Sequence, residues 1–269
     1  MGCADEGPDV RVDRVQPSLI VNAAAYTAVD QAESEPGLAH QINADVPALL
    51  GRWAVGHGAL IAHYSTDYVF DGSKDGAYAE TDAPNPLGVY GLTKLAGDEA
   101  LIASGCDHLI LRVSWVYGTR GRNFLLTMQR LMAERDALNV VDDQIGAPTW
   151  CRRIAETTGS ALGKLLGSEE AHRTLGGLYH LAPAGETSWF GFASAIRDAG
   201  GFDCELTPIT TAEYPTPAAR PANSRMDTTK LQSTLGIMSN YWDTDLACLV
   251  PKTPTGSDRL SQVDLQSMN

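Results

Sequence analysis

The chain has 269 residues, 43% of them hydrophobic and 20% charged. That is enough to bury a substantial core, at a composition near the soluble globular average. The 33 acidic residues against 20 basic ones leave a net charge of −13. This speaks against nucleic-acid binding and against an anionic membrane surface, yet leaves room for an anionic small molecule held by a few local arginines. No apolar run reaches the roughly 18 residues that a membrane-spanning helix needs. Met1 to Gln16 is polar and does not read as a secretory signal. Cys3, Cys106, Cys151, Cys204 and Cys248 are scattered without C-x-x-C spacing, which predicts free thiols in a reducing cytoplasm.

In chain order, Leu19-Ile-Val21 is a short apolar run with strand character. Leu38 to Val55 carries Leu38, Ile42, Leu49, Leu50 and Trp53 at helical spacing. Ala59 to Ser65 predicts the next strand and Leu92 to Ala103 the next helix. His108 to Val113 is a strand, Phe124 to Arg135 a helix and Leu138 to Val141 a strand. Ile154 to Leu166 and Leu178 to Leu181 continue the alternation, which predicts an α/β protein with a mainly parallel sheet. The rhythm changes after Pro183. Trp189 to Ala199 reads as a helix. Thr210 to Arg225, with Pro215, Pro217 and Pro221, reads as an extended loop. Short helices follow at Thr228 to Leu235 and Tyr241 to Leu249. The polar stretch from Pro251 predicts a disordered tail. The expected division is residues 1–182, 183–250 and that tail, 251–269.

Four segments carry chemistry. Tyr90-Gly-Leu-Thr-Lys94 puts a phenol and an ammonium on one helix face. A nearby ammonium favours the phenolate and lowers the phenol pKa, so Tyr90 is a candidate proton donor to a carbonyl under reduction. Ser65, Thr66 and Asp67 follow an apolar strand, where open α/β sheets collect their ligands. Asn22-Ala-Ala-Ala-Tyr-Thr27 also follows a strand, and its small residues let a ligand approach the backbone. Ser114-Trp-Val-Tyr-Gly118 follows a third strand. Each has a plain structural alternative: a surface Tyr/Lys pair, a strand-end turn, tight helix-sheet packing, an aromatic core edge.

Taken together, the stretches NAAAYTAVDQAE, HYSTDYVFDG, VYGLTKLAGDEAL, LRVSWVYG, DDQIGAPT, GLYHLA and YPTPAARPANSRMDTTKL resemble an extended short-chain dehydrogenase/reductase. More narrowly they resemble the dTDP-4-dehydrorhamnose reductase family, from Leu19 to about Trp242. The resemblance implies a Rossmann-type doubly wound α/β fold with a smaller C-terminal substrate-binding part. It implies reduction of a dTDP-linked 4-keto sugar by NADPH or NADH. Tyr90 would protonate the keto oxygen, Lys94 would hold the nicotinamide ribose and lower the Tyr90 pKa, and Thr66 would hydrogen-bond the keto oxygen. Ala24, Ala25, Tyr26 and Thr27 would line the dinucleotide. Asp67 and Trp115 would contact the sugar nucleotide, with Asn123, Arg220 and Asn223 toward the nucleotide end. The anionic ligands direct attention to Lys94, Arg220 and Arg225 as local positive charge. A cytoplasmic homodimer is the expected setting.

The chain departs from the family in one place. The family's first βαβ portion, with its G-x-x-G-x-x-G turn, is missing before Leu19. That turn is a pyrophosphate site, so the expectation is weak phosphate anchoring. In the 3-2-1-4-5-6 order, Leu19–Val21 is expected to be separated from Ala59–Ser65 unless the two strands re-pair. Some family members place glutamates at a metal-assisted dimer contact. Residues 251–269 hold no Glu, which predicts no such metal. A second possibility is a non-catalytic relative, similar to the regulatory subunit of methionine adenosyltransferase. Retention of Thr66, Tyr90 and Lys94 argues against it.

Overall fold

The computed structural model describes residues 8–250. Four strands form the main sheet: β1 (Leu19–Asn22), β2 (Leu60–Thr66), β3 (His108–Val113) and β4 (Gly177–Leu181). They lie side by side in chain order, and every pair is parallel. β1 is thus the direct neighbour of β2, with Leu19 opposite Leu60 and Asn22 opposite His63. Of the two expected outcomes, separation or re-pairing, the structure shows re-pairing. Their pairing is continuous over all four residues of β1.

Helices cover both faces, so the strands read as apolar runs rather than polar alternations. Successive side chains of β2 go to opposite faces. Leu60 and Ala62 pack with Leu109, Leu111, Tyr179 and the helix Cys151–Leu165. Ile61 packs the other way, with Ile110, Leu50, Trp53 and Leu101, under the helices Val46–His57 and Val89–Ser104.

A third core lies beside this sheet. It joins Tyr117, Leu125, Met128, Leu138 and Val140 to Phe192, Ile196, Leu206 and Leu246. Its framework is a parallel strand pair, Ala137–Val141 with Glu205–Ile209, flanked by the helices Phe124–Glu134, Trp189–Gly200 and Trp242–Leu249. The proposed boundary at residue 182 runs through this core, to which residues 117–140 supply six buried side chains and residues 192–250 seven.

The remaining differences from the expected elements have local causes. Pro8–Val15 is helical despite its polar composition, and Trp53 Nε1 donates to Asp13 Oδ1 at 2.6 Å. The long helix expected from Leu38 is Pro36–His40, a π-helical turn at Gln41–Asp45, then Val46–His57. Pro47 lacks the N–H that would bond the Asn43 carbonyl, so the chain widens there. Gly97 packs against that same carbonyl, so closely that a Cβ at 97 would lie 2.1 Å from it. The strand Glu205–Ile209 was not anticipated, since Pro208 interrupts its pattern. It survives at the edge of a two-stranded sheet, where proline is tolerated.

The segment 210–225 is irregular but tied down. Ile145 N donates to Ala222 O at 2.8 Å, and Ser224 N to Ile145 O at 2.7 Å. Among the described residues, no helix is long and apolar enough to cross a membrane, and no group of His, Cys, Asp and Glu is placed to hold a metal ion. The predicted tail and the residues behind the metal argument, 251–269, lie outside the described residues.

Candidate active site

The site forms where β1 and β2 end and the helix Val89–Ser104 begins. After Asn22 the chain runs extended and open through residues 23–28, with Ala24 and Thr27 exposed. After β2 it turns at once into a short 3-10 turn, Asp67–Val69, capped by Thr66, whose Oγ1 accepts from Tyr68 N at 3.2 Å. The helix N-terminus is fixed by Glu33, which accepts from Val89 N at 2.9 Å. Gly91 lets that helix touch the turn: a Cβ there would sit 2.2 Å from the Tyr68 carbonyl oxygen. This close approach delivers Tyr90 to Thr66, Asp67 and Tyr68. The Tyr90 and Tyr68 rings meet edge to face at 5.4 Å.

Burial dominates the electrostatics. It raises the Tyr90 phenol to about 12, a rise that Asp67 and Asp98 reinforce and a hydrogen bond with Thr66 partly offsets. Asp67 is buried, and this lifts its carboxyl to about 6 against the hydroxyls of Ser224 and Thr66. Its Oδ2 has no hydrogen-bond partner within the protein. A buried carboxyl oxygen without a partner is uncommon and marks this strand end.

Lys94 departs from expectation. It shares a helix face with Tyr90, but its side chain turns into the sheet and is only 2% exposed. Its Nζ donates to Tyr64 O at 2.6 Å and faces His63 Nε2 at 3.2 Å. The ammonium therefore does not lower the phenol, whose pKa moves up. Burial lowers Lys94 itself to about 8, with Asp98 opposing.

The other candidates separate into two groups. Ala24, Ala25 and Thr27 line the open segment after β1. Tyr26 is held there by Asn43, which accepts from Tyr26 N at 2.8 Å and donates to Tyr26 O and to Thr93 Oγ1. The Tyr26 hydroxyl donates to Glu35 at 2.7 Å. Trp115 has a left-handed backbone, φ 46°, and lies stacked on Trp189 at 3.7 Å. Gly146 makes room for its ring, since a Cβ there would come within 2.7 Å of it. Asn123 caps the helix Phe124–Glu134 by accepting from Leu126 N, and donates to Gly118 O. Asn223 donates to the carbonyls of Lys74 and Gly76 and accepts from Arg225. These two amides are occupied by the protein itself. The positive charges are engaged too: Arg220 with Asp30 at 2.9 Å and Arg225 with Glu186 at 3.2 Å.

A cavity of about 890 Å³ opens beside Tyr68, lined by Phe124, Met128, Arg135, Trp189 and Arg220 among others. Tyr68, Arg135, Trp189 and Asn43 escaped the sequence reading. A lone Asn within a helical pattern and an Arg after one read as surface residues, and nothing local marks them otherwise.

Comparison with known proteins places the chain in a family. Residues 6–253 match the RmlD substrate binding domain family. The dTDP-4-dehydrorhamnose reductase of Salmonella typhimurium is 45% identical over 238 residues, 86% of this chain and 78% of the relative. That of Escherichia coli K12 is 45% identical over 244 residues, 88% and 80% of the two chains. The solved Bacillus anthracis dTDP-4-dehydrorhamnose reductase, in complex with NADP, superposes with a TM-score of 0.82 at 35% identity, over 91% of this chain and 84% of that one. The chain belongs to the dTDP-4-dehydrorhamnose reductase family of oxidoreductases.

Proposed function

We propose that this chain reduces the 4-keto group of dTDP-4-dehydro-L-rhamnose to give dTDP-L-rhamnose, with NADPH or NADH as reductant. The observation that carries the reading is the convergence of Thr66, Asp67 and Tyr90 where β2 meets the helix Val89–Ser104, with Lys94 directly beneath.

The described residues fit the nicotinamide end of the dinucleotide. The exposed backbone and small side chains of Ala24 and Ala25 follow β1, and Thr27 offers a hydroxyl. When bound, the cofactor supplies hydride to the keto carbon. The rest falls to this chain. Tyr90, protonated at all working pH values by its raised pKa, donates its proton to the keto oxygen. Thr66 donates a hydrogen bond to the same oxygen as negative charge develops there, which stabilises the transition state more than the substrate. The free Oδ2 of Asp67 accepts from a sugar hydroxyl. Lys94, one turn after Tyr90 on the same helix, would hold the nicotinamide ribose. The nucleotide end occupies the cleft, where Tyr68 and Trp189 offer flat apolar faces and Arg135 and Arg220 offer positive charge. Trp115 buttresses Trp189 from behind.

The four cysteines among the described residues are free thiols, which suits the cytoplasm as compartment. The test is a panel of dTDP- and UDP-linked 4-keto sugars given to the purified chain with NADPH. Turnover of the dTDP-4-dehydro-L-rhamnose supports the proposal. Reduction of a UDP-linked sugar alone overturns the substrate, and no turnover with any of them overturns the activity.

A further inference from the structure

Beneath the proposed catalytic group lies a buried polar network. His63 on β2 is 1% exposed, Asn22 on β1 7%, Asp98 on the Tyr90 helix 0% and Arg112 on β3 3%. Asn22 Nδ2 lies 3.0 Å from His63 Nδ1, and His63 Nε2 faces Lys94 Nζ at 3.2 Å. Asp98 accepts from Ser65 at 2.6 Å and from Arg112 Nε at 3.3 Å, and its Oδ1 stands 3.8 Å from His63 Nε2.

We propose that His63 is a positioning residue that holds Lys94 as an ammonium through the Nε2 lone pair, while Asn22 fixes the imidazole tautomer. The role in turnover rests on the reductase reading; the local arrangement does not.

The chemistry leaves few choices. An ammonium only donates, so Nε2 must present its lone pair to it. Burial and the neighbouring Lys94 keep the imidazole neutral, which puts its one proton on Nδ1. That proton needs an acceptor, and Asn22 supplies one when its amide turns over and brings Oδ1 to the place where Nδ2 stands; the two ends of the amide have the same shape, and the ammonium at the other ring nitrogen decides between them. Loss of the Lys94 proton reverses every member. Nε2–H then donates to the amine, and Nδ1 accepts from the Asn22 amide N–H.

The other groups facing this pair set the balance. Asp98, one turn further along the helix, favours the ammonium. Arg112 binds Asp98 and weakens that attraction, and His180 on β4 lies beyond Arg112, kept neutral by burial and by Arg112. Tyr90 contributes no charge below its raised pKa.

The direct test is ring-nitrogen NMR on histidine-labelled protein, with the His63 signal assigned by its loss in His63→Gln. The expected spectrum at pH 7 is a neutral ring protonated on Nδ1, passing to Nε2 as pH rises through about 8. Lys94→Met should abolish the Nδ1 preference. The kinetic test compares His63→Asn, too short to reach Lys94, with His63→Gln, whose amide oxygen reaches the Nε2 position. His63→Asn should lower the basic limb of kcat by about one pH unit, and His63→Gln should restore most of it. An Nε2-protonated ring at pH 7 overturns the proposal. So does an unshifted limb in a folded His63→Asn protein. If that variant does not fold, the wild-type tautomer decides. Absence of reductase activity sinks the reaction assignment and leaves the NMR result to judge the arrangement.

Discussion

Asp30 and Arg220 lie 190 positions apart, yet Arg220 Nη2 contacts both carboxylate oxygens of Asp30 at 2.9 Å. Asp30 also accepts from Ala218 N at 3.2 Å. The guanidinium lies 5.9 Å over the Tyr68 ring, which in turn abuts Tyr90. One ion pair thus ties the proline-rich segment to the helix Val29–Ala32 and to the wall of the cleft. Arg220→Met should raise KM for the sugar nucleotide about tenfold with kcat little changed, since it frees the cleft wall rather than the reacting atoms. The pair is partly exposed, so an Asp30/Arg220 double-mutant cycle should give a coupling of about 1 kcal/mol or less. A fall in kcat at constant KM would contradict this placement.

Tyr90→Phe removes the proton donor and keeps the ring against Tyr68. Turnover should fall by about a hundred- to ten-thousandfold, with NADPH binding nearly unchanged by fluorescence titration. Thr66→Val should cost about a hundredfold in kcat through loss of one oxyanion donor. Equal losses in cofactor affinity would assign both residues to binding instead.

The basic limb of the pH profile should belong to Lys94. Its pKa is lowered to about 8, whereas Tyr90 is raised to about 12. A lowered ammonium loses its charge as pH rises through about 8, so kcat should decline there. Lys94→Met should be slow and flat over the same range. A limb near pH 10, as for an unburied lysine, would place the ammonium in a different environment.

Asp67 gives a stability prediction whose sign differs from the usual carboxylate case. Its pKa is raised in the fold to about 6. Between about pH 4 and 6 the folded chain holds a proton that the unfolded chain has released, so this group's contribution declines as pH rises through that window. Asp67→Asn removes the dependence. Its stability relative to the wild type should increase from pH 4 to pH 6 by about 2–3 kcal/mol, read from urea midpoints. The buried histidines are common to both proteins and cancel. A pH-independent difference would show that Asp67 is not a buried acid.

The sheet strands and the long helices were legible because they carry simple periods. β3 and the helix Phe124–Glu134 match their expected bounds within a residue. Tyr90, Thr66 and Asp67 were legible as sheet-end residues, and the fold brings them together. The direction of the Lys94 side chain was not legible. Helical spacing fixes which face a residue is on, but not that His63 and a β2 carbonyl draw the ammonium inward. The family strand order left two outcomes for β1 and β2, separation or re-pairing, and only the register of the folded chain decides for re-pairing. The third core was not legible because its strands, Ala137–Val141 and Glu205–Ile209, are far apart in sequence. Asn123 and Asn223 show the converse. The family resemblance implied ligand contact for both, while in the structure a helix cap and a loop latch engage the two amides.

The most direct measurement follows the hydrogen itself. Purified chain, dTDP-4-dehydro-L-rhamnose and NADPH deuterated at the transferable position should yield dTDP-L-rhamnose carrying one deuterium at C4, and Tyr90→Phe should suppress the product without abolishing cofactor binding. A reduced sugar without deuterium at C4, or no reduction while NADPH and the sugar nucleotide both bind, would contradict the assignment of this site as a keto-sugar reductase.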